Sequence, residues 1–219
     1  MTDANSDRPR PRRERRGRAD AAHLWATTVA GVVALGISLY NLSVLHRQPD
    51  IDVALPHLVR IEPRGPGGNV HLFLQPTISS RVRTEDVEIV ADAKLRLRST
   101  DPAVREPKFY WDESGAWSYD HASNGLSYQR TADPSPMVID QGNPQQPTIL
   151  FNSHAWNIRP GRYDGVLVLQ RASSPRPVEK PFCLMLSEEA VKTFTTSAER
   201  AFFELRNDVP ARPGPCYTF

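Results

Sequence analysis

The chain has 219 residues, with 27 basic and 25 acidic side chains and a formal net charge of only +2. Seven arginines lie before residue 19, so the rest of the chain has no excess of basic residues and we expect no nucleic-acid partner. The segment before the first apolar run is too short to form a cytoplasmic kinase or sensor domain.

The first 45 residues predict a membrane anchor. Residues 1–23 are rich in Arg, Pro and Asp and contain no aromatic residue, so we expect a disordered, basic cytoplasmic tail. Residues 24–45 contain no charged side chain, and a helix of this length, about 33 Å, crosses the hydrocarbon core of a bilayer. The arginines before it place the N-terminus in the cytoplasm and the C-terminal part outside.

The apolar run is longer than that of a cleaved signal peptide, and no cleavage-site pattern of small residues follows it. We therefore predict an uncleaved signal anchor in the cell membrane and a single-pass protein of the cell envelope. Small residues recur every four positions at Ala26, Ala30, Ala34 and Ser38, a spacing that lets two membrane helices pack as a homodimer but is also common in other membrane helices. The excess of Arg over Lys is typical of a bacterial protein.

Residues 46–56 are expected to form a juxtamembrane linker, and residues 57–219 an extracytoplasmic β-rich domain. The clearest strand runs from Val87 to Arg98, where apolar residues alternate with mostly charged ones, as in an antiparallel sheet with one buried face. A hairpin is predicted with the turn at Asp112–Gly115. Further strands are predicted at 57–62, 70–74, 126–131, 148–158, 162–170 and 178–186. This pattern predicts a mainly β fold, an antiparallel sandwich or a barrel-like domain.

One amphipathic helix is predicted over residues 188–206, with Ser187 as its N-cap and an apolar face that includes Phe194 and Phe202. This face is expected to pack on the sheet; the alternative is an exposed helix that binds a partner. Cys183 and Cys216 both lie in the outer domain, where an oxidising compartment permits a disulfide between them. The alternative is two free thiols.

The sequence contains no recognisable catalytic, metal-binding or phosphate-binding spacing, so we expect no enzyme activity, no metal and no cofactor. Aromatic residues gather around the predicted hairpin, and the candidate binding patch consists of Tyr110, Trp111, Trp117, Tyr119 and Tyr128. Such rings either stabilise a sheet through cross-strand contacts or form a platform for a ligand. The sequence thus favours an outer domain that binds or scaffolds an envelope protein or a glycan. The alternative is a membrane-tethered hydrolase whose site is assembled from distant residues.

Overall fold

The structure, a computed structural model, describes residues 13–45, 50–64, 69–81, 87–122, 125–154, 156–196, 202–209 and 214–219. The chain divides into two units, residues 1–47 and 48–219. The first unit contains α1 (Arg13–Leu45). The second contains, in chain order, β1 (Ile51–Ala54), β2 (Leu58–Arg64), β3 (Asn69–Leu74), β4 (Thr77–Ser80), β5 (Glu88–Ser99), β6 (Lys108–Asp120), β7 (Gly125–Ala132), β8 (Met137–Ile139), β9 (Thr148–His154), β10 (Gly161–Arg171), β11 (Val178–Leu186), α2 (Glu188–Thr196), β12 (Phe203–Arg206) and β13 (Tyr217–Thr218).

The N-terminal helix begins before the predicted membrane segment. α1 starts at Arg13, so residues 13–23 are helical where the sequence predicted a disordered tail. Arg and Ala are strong helix formers, and a helix established by the apolar segment continues into them. The stretch His23–Leu45 is long and apolar enough to cross a membrane, with a mean hydropathy of 1.8. Residues 1–12 of the tail and 46–49 of the linker lie outside the described residues.

Nine strands of the second unit close into a barrel. Their order around the wall is β6, β9, β3, β2, β12, β13, β11, β10 and β5, and one residue pair, Arg96 with Lys108, joins β5 back to β6. Neighbouring strands are antiparallel, except β11 and β13, which are parallel. β7 pairs with β6, and β8 pairs with β5. Of the two predicted architectures, the domain therefore has the barrel-like one.

Alternate strand positions fill the barrel interior with apolar side chains, among them the fully buried Leu72, Leu97 and Phe151. β1 and β4 form a separate two-stranded sheet, and Ile51 and Val53 of β1 belong to the same buried cluster. Residues 51–54, which the sequence assigned to a linker over residues 46–56, therefore form a strand instead. The alternation of apolar and other residues in β1 is a strand signal, but it is easily overlooked in four residues.

The predicted alternation of β5 is right in its second half and wrong in its first half. Positions 93, 95 and 97 are buried as expected, but Ile89 is exposed and Glu88 is fully buried. The register against β10 slips by one residue near Ala91, and such a bulge reverses the face that points to the core. The buried Glu88 carboxylate accepts a hydrogen bond from the Ser173 hydroxyl at 2.5 Å and lies 3.8 Å from the Arg171 guanidinium. These partners compensate its charge.

The predicted turn at Asp112–Gly115 is also wrong. These residues lie inside β6, which pairs with β9 on both sides of a bulge, and the hairpin to β7 turns after Asp120 instead. Pairing with β9, a strand distant in sequence, outweighs the local preference of a polar segment that ends in Gly. Gly115 has a different role, because the Tyr128 ring of β7 lies across the place where a Cβ atom would be.

The C-terminal helix is shorter than predicted. α2 ends at residue 196, residues 197–201 lie outside the described part, and β12 follows. Ser187 caps α2 as predicted, since its hydroxyl accepts a hydrogen bond from the Ala190 N–H at 3.1 Å, and α2 buries Phe194. In the segment of β12, Phe203 is buried and Phe202 is only half-buried, the reverse of the helical prediction. The cause is the change from helical to strand periodicity.

Cys183 and Cys216 form a disulfide, as the sequence predicted. The bridge lies one residue before the pair Leu184–Tyr217, which joins β11 to the two-residue strand β13. The Tyr217 hydroxyl donates a hydrogen bond to the Pro56 carbonyl, and burial raises the pKa of Tyr217 to about 12. The disulfide therefore fastens the shortest strand of the barrel wall.

Candidate binding site in the barrel wall

The barrel wall opens between β5 and β6. Whereas β5 pairs with β10 over most of its length, it meets β6 only at Arg96 and Lys108. On the same side of the two strands, β8 pairs with residues 88–90 of β5, and β7 pairs with β6 from Ser114 onward. Residues 92–95 and 109–111 thus face each other with no residue pair between them, and they border a cleft of about 510 Å³, a volume typical of ligand sites.

A hydrogen bond at the end of β5 reveals which backbone groups point into this cleft. The Thr100 N–H donates to the Arg162 carbonyl at 2.9 Å, just beyond the pair Ser99–Tyr163, so the even-numbered residues of β5 from Asp92 onward exchange their backbone bonds with β10. Arg96 and Lys108 therefore leave the bonds between β5 and β6 to their neighbours, an arrangement that uses the Pro107 carbonyl and needs no N–H there. Because backbone direction alternates along a strand, the N–H and C=O groups of Ala93 and Trp111 point into the cleft, where no described strand bonds to them.

The cleft has an apolar floor and a charged rim. Leu95 is buried, and Phe109 and Trp111 are partly buried against the barrel core. Lys94, Arg96 and Lys108 are exposed on the outer side. Arg96 forms an ion pair with Glu179 at 2.7 Å, and Lys94 lies 3.3 Å from Asp92. Arg96 and Lys108 stand directly opposite each other, and like charges at such positions destabilise a sheet.

Two buried polar atoms lie behind the floor of the cleft. The Trp156 ring is 5.6 Å from the Phe109 ring, and Ser153 is paired with Phe109 across β9 and β6. Trp156 and Ser153 are at most 1% exposed, yet the Trp156 Nε1 and the Ser153 Oγ have no hydrogen-bond partner among the described residues. A buried polar group without a partner costs about 1–3 kcal/mol, but neither residue lines the cleft, so this cost belongs to the barrel interior and not to a ligand.

The five residues of the predicted aromatic patch do not form one surface. Tyr110 is 41% exposed, and its hydroxyl lies 3.1 Å from His154 Nε2 on the outer face, whereas Trp111 points inward. Tyr119 is exposed near the end of the β6–β7 hairpin, with its ring 5.0 Å from that of His121. Only Tyr110 and Trp111 line the cleft.

Trp117 and Tyr128 belong to a separate outer aromatic cluster, which we define as Phe73, Trp117, Tyr128 and Phe202. Their ring centroids lie 4.8–5.4 Å apart in four contacting pairs, and the Arg60 guanidinium lies 4.3 Å from the Trp117 centroid. Burial and the nearby Glu113 carboxylate raise the pKa of Tyr128. These rings cover one another, which favours the stabilising role over that of a ligand platform.

A polar row crosses the outer face beside this cluster. Glu62, His71, Asn152 and Tyr110 are opposed residues of four neighbouring strands. Burial alone would raise the pKa of Glu62, but hydrogen bonds and charge from His71 and Arg64, each 3.2 Å away, hold it below its usual value. Glu62 is therefore an ionised structural partner at neutral pH rather than a proton donor.

The described hydrogen bonds of His71 and His154 lead to Glu62, Asn69 and Tyr110 rather than to a Ser or Thr hydroxyl. This arrangement does not resemble a nucleophile with its general base. Within the described ranges, no group of three His, Cys, Asp or Glu side chains is placed to hold a metal ion.

Sequence reasoning missed most of the cleft, including Lys94, Arg96, Lys108 and Phe109. Pro107 is the one local signal, because proline in a sheet is found at edges and strand beginnings. Comparison of the chain with protein-family models, with curated protein sequences and with solved structures gives no match.

Proposed function

We propose that this chain is a single-pass membrane protein of the cell envelope whose barrel domain captures a partner protein in the cleft between β5 and β6. The observation that carries the proposal is the interruption of the barrel wall between Ala93 and Trp111, with unpaired backbone groups above an apolar floor. Paired strands leave no such groups, and a strand edge without a partner is a site for association.

The membrane part of the proposal rests on α1. Its large apolar side chains, such as Leu24 and Trp25, are exposed, as lipid contact requires, and the arginines before it favour a cytoplasmic N-terminus. The Cys183–Cys216 disulfide supports an oxidising compartment for the barrel domain. Homodimerisation through the face of Ala26 and Ala30 remains a prediction of the sequence.

Site-specific photo-crosslinking in native membranes tests this function. A benzophenone amino acid at position 94, on the cleft, is compared with one at position 192, an exposed site on α2. We expect a discrete adduct from position 94 that is missing at position 192 and that disappears when Lys108 is replaced by Glu. Identical adducts from both positions, or none from position 94, would contradict binding in the cleft.

A further inference from the structure

We propose that the occupant of the cleft is a short extended peptide segment that carries an acidic group and pairs with the open edges of β5 and β6. This inference rests on the proposed function, because it specifies the chemistry of the partner at the same cleft. Its structural basis is the direction of the backbone at Ala93 and Trp111, which point N–H and C=O groups toward each other across the open wall. A peptide main chain is the one common ligand that presents both groups at the strand repeat.

The geometry limits the length of this segment. Residues 91–95 span about 16 Å of extended chain, and β8 and the Arg96–Lys108 pair occupy the two ends of that edge. A segment of about three to five residues therefore fills the opening. Because β5 and β6 are antiparallel to each other, a strand between them runs parallel to one and antiparallel to the other.

The two faces of the opening demand alternating side chains. One side of the segment meets Leu95, Phe109 and Trp111, so a bulky apolar side chain fits there. The next residue points outward, toward the rim.

Charge complementarity specifies the acidic group. Arg96 and Lys108 are opposed at the closed end of the cleft, and Glu179 pairs with Arg96. Glu106 also lines this end, but no described ion pair joins it or another carboxylate to Lys108. A carboxylate at this end removes the repulsion between the two cations and gains a charge-assisted hydrogen bond. It comes either from an Asp or Glu side chain or from the C-terminus of the segment.

Selection from a displayed library of random seven-residue peptides, on the full-length chain in lipid nanodiscs, provides the probe. We expect selected peptides to alternate bulky apolar residues with others and to include a carboxylate. Backbone N-methylation should weaken binding about tenfold at each residue inside the opening and less than about threefold at the flanking residues, since successive N–H groups of the inserted strand face β5 and β6 in turn. Amidation of the C-terminus distinguishes a terminal carboxylate from a side chain.

Lys108→Glu should weaken the selected acidic peptides about tenfold, whereas Lys192→Glu, on α2, is the matched control and should leave affinity unchanged. Tolerance of N-methylation inside the opening, sensitivity that extends equally to the flanking residues, or failure to select any peptide that Lys108→Glu weakens would overturn the inference. If the peptide experiments fail but the crosslinked adduct at position 94 persists, the cleft still binds a partner, and only the inference that the partner is an added strand is refuted. If the adduct at position 94 is also absent, the proposed function is refuted as well.

Discussion

Removal of the Cys183–Cys216 disulfide should weaken the barrel by an amount that follows from its topology. The two cysteines are 33 residues apart, and closing a loop of this length in the unfolded chain is worth about 3–4 kcal/mol in the chain-entropy model. The segment between the cysteines includes α2 and β12, and β13 follows directly after Cys216. β13 meets β12 at one residue pair and β11 at two. Short strands of this kind contribute little pairing energy of their own, so the covalent link is expected to dominate at this position.

The measurement is urea unfolding of the full chain in detergent, with and without dithiothreitol, for the wild type and for the double variant Cys183→Ala, Cys216→Ala. The variant should lose about 3–4 kcal/mol, and reduction should lower the wild type to the same level while leaving the variant unchanged. A loss below about 1 kcal/mol would refute the argument that the disulfide secures β13, because the strands alone would then hold the barrel closed.

Three further predictions follow from the described contacts. Phe203→Ala should cost about 3–5 kcal/mol and Phe202→Ala clearly less, by thermal unfolding, because only the first ring is buried; equal costs would contradict β12. Glu62 has a lowered pKa, so its ionised form stabilises the fold above about pH 4.5, its unperturbed value, and this stabilisation is lost as the pH falls through the folded pKa. The stability difference between wild type and Glu62→Gln should therefore shrink below pH 4.5 in urea titrations, and a constant difference would argue against the ion pair with His71. A tag at the N-terminus should resist protease in intact cells while a tag after the C-terminus is cleaved; the opposite result would reverse the proposed topology.

The parts of the fold that the sequence predicts are those that depend on local pattern. Local sequence signals predict the charge-free segment, most long strands and the N-cap at Ser187. The cysteine pair was predicted from the even number of cysteines and the expected oxidising compartment. The helix predicted through residues 197–206 illustrates the limit of such patterns. Phe202 and Leu205 fit a helical face, but pairing of β12 with β2 imposes strand periodicity on the last part of the segment.

The candidate site could not be predicted because it is formed by segments of β5 and β6 that do not pair with each other. The first residues of β5 and β6 are 20 positions apart in the chain. The cleft forms because these two strands pair only at Arg96 and Lys108, while β7 and β8 pair with other parts of the same strand edges. No local pattern specifies which edge stays open. The bulges near Ala91 and Asp112 add to this difficulty, because each reverses the faces assigned by simple alternation. The aromatic composition pointed to the right part of the chain, but it grouped residues that lie on different surfaces.

Amide hydrogen exchange, read residue by residue by NMR on the full chain in detergent, tests the open wall most directly and needs no ligand. The account predicts that the N–H groups of Ala93 and Trp111, which face the cleft, exchange at least about tenfold faster than that of Lys94, which bonds to β10. Arg96, which bonds to β10, and Lys108, which bonds to β9, should be protected. Equal protection of Ala93, Lys94 and Trp111 would mean that β5 and β6 are paired along their length, and it would contradict the existence of the cleft.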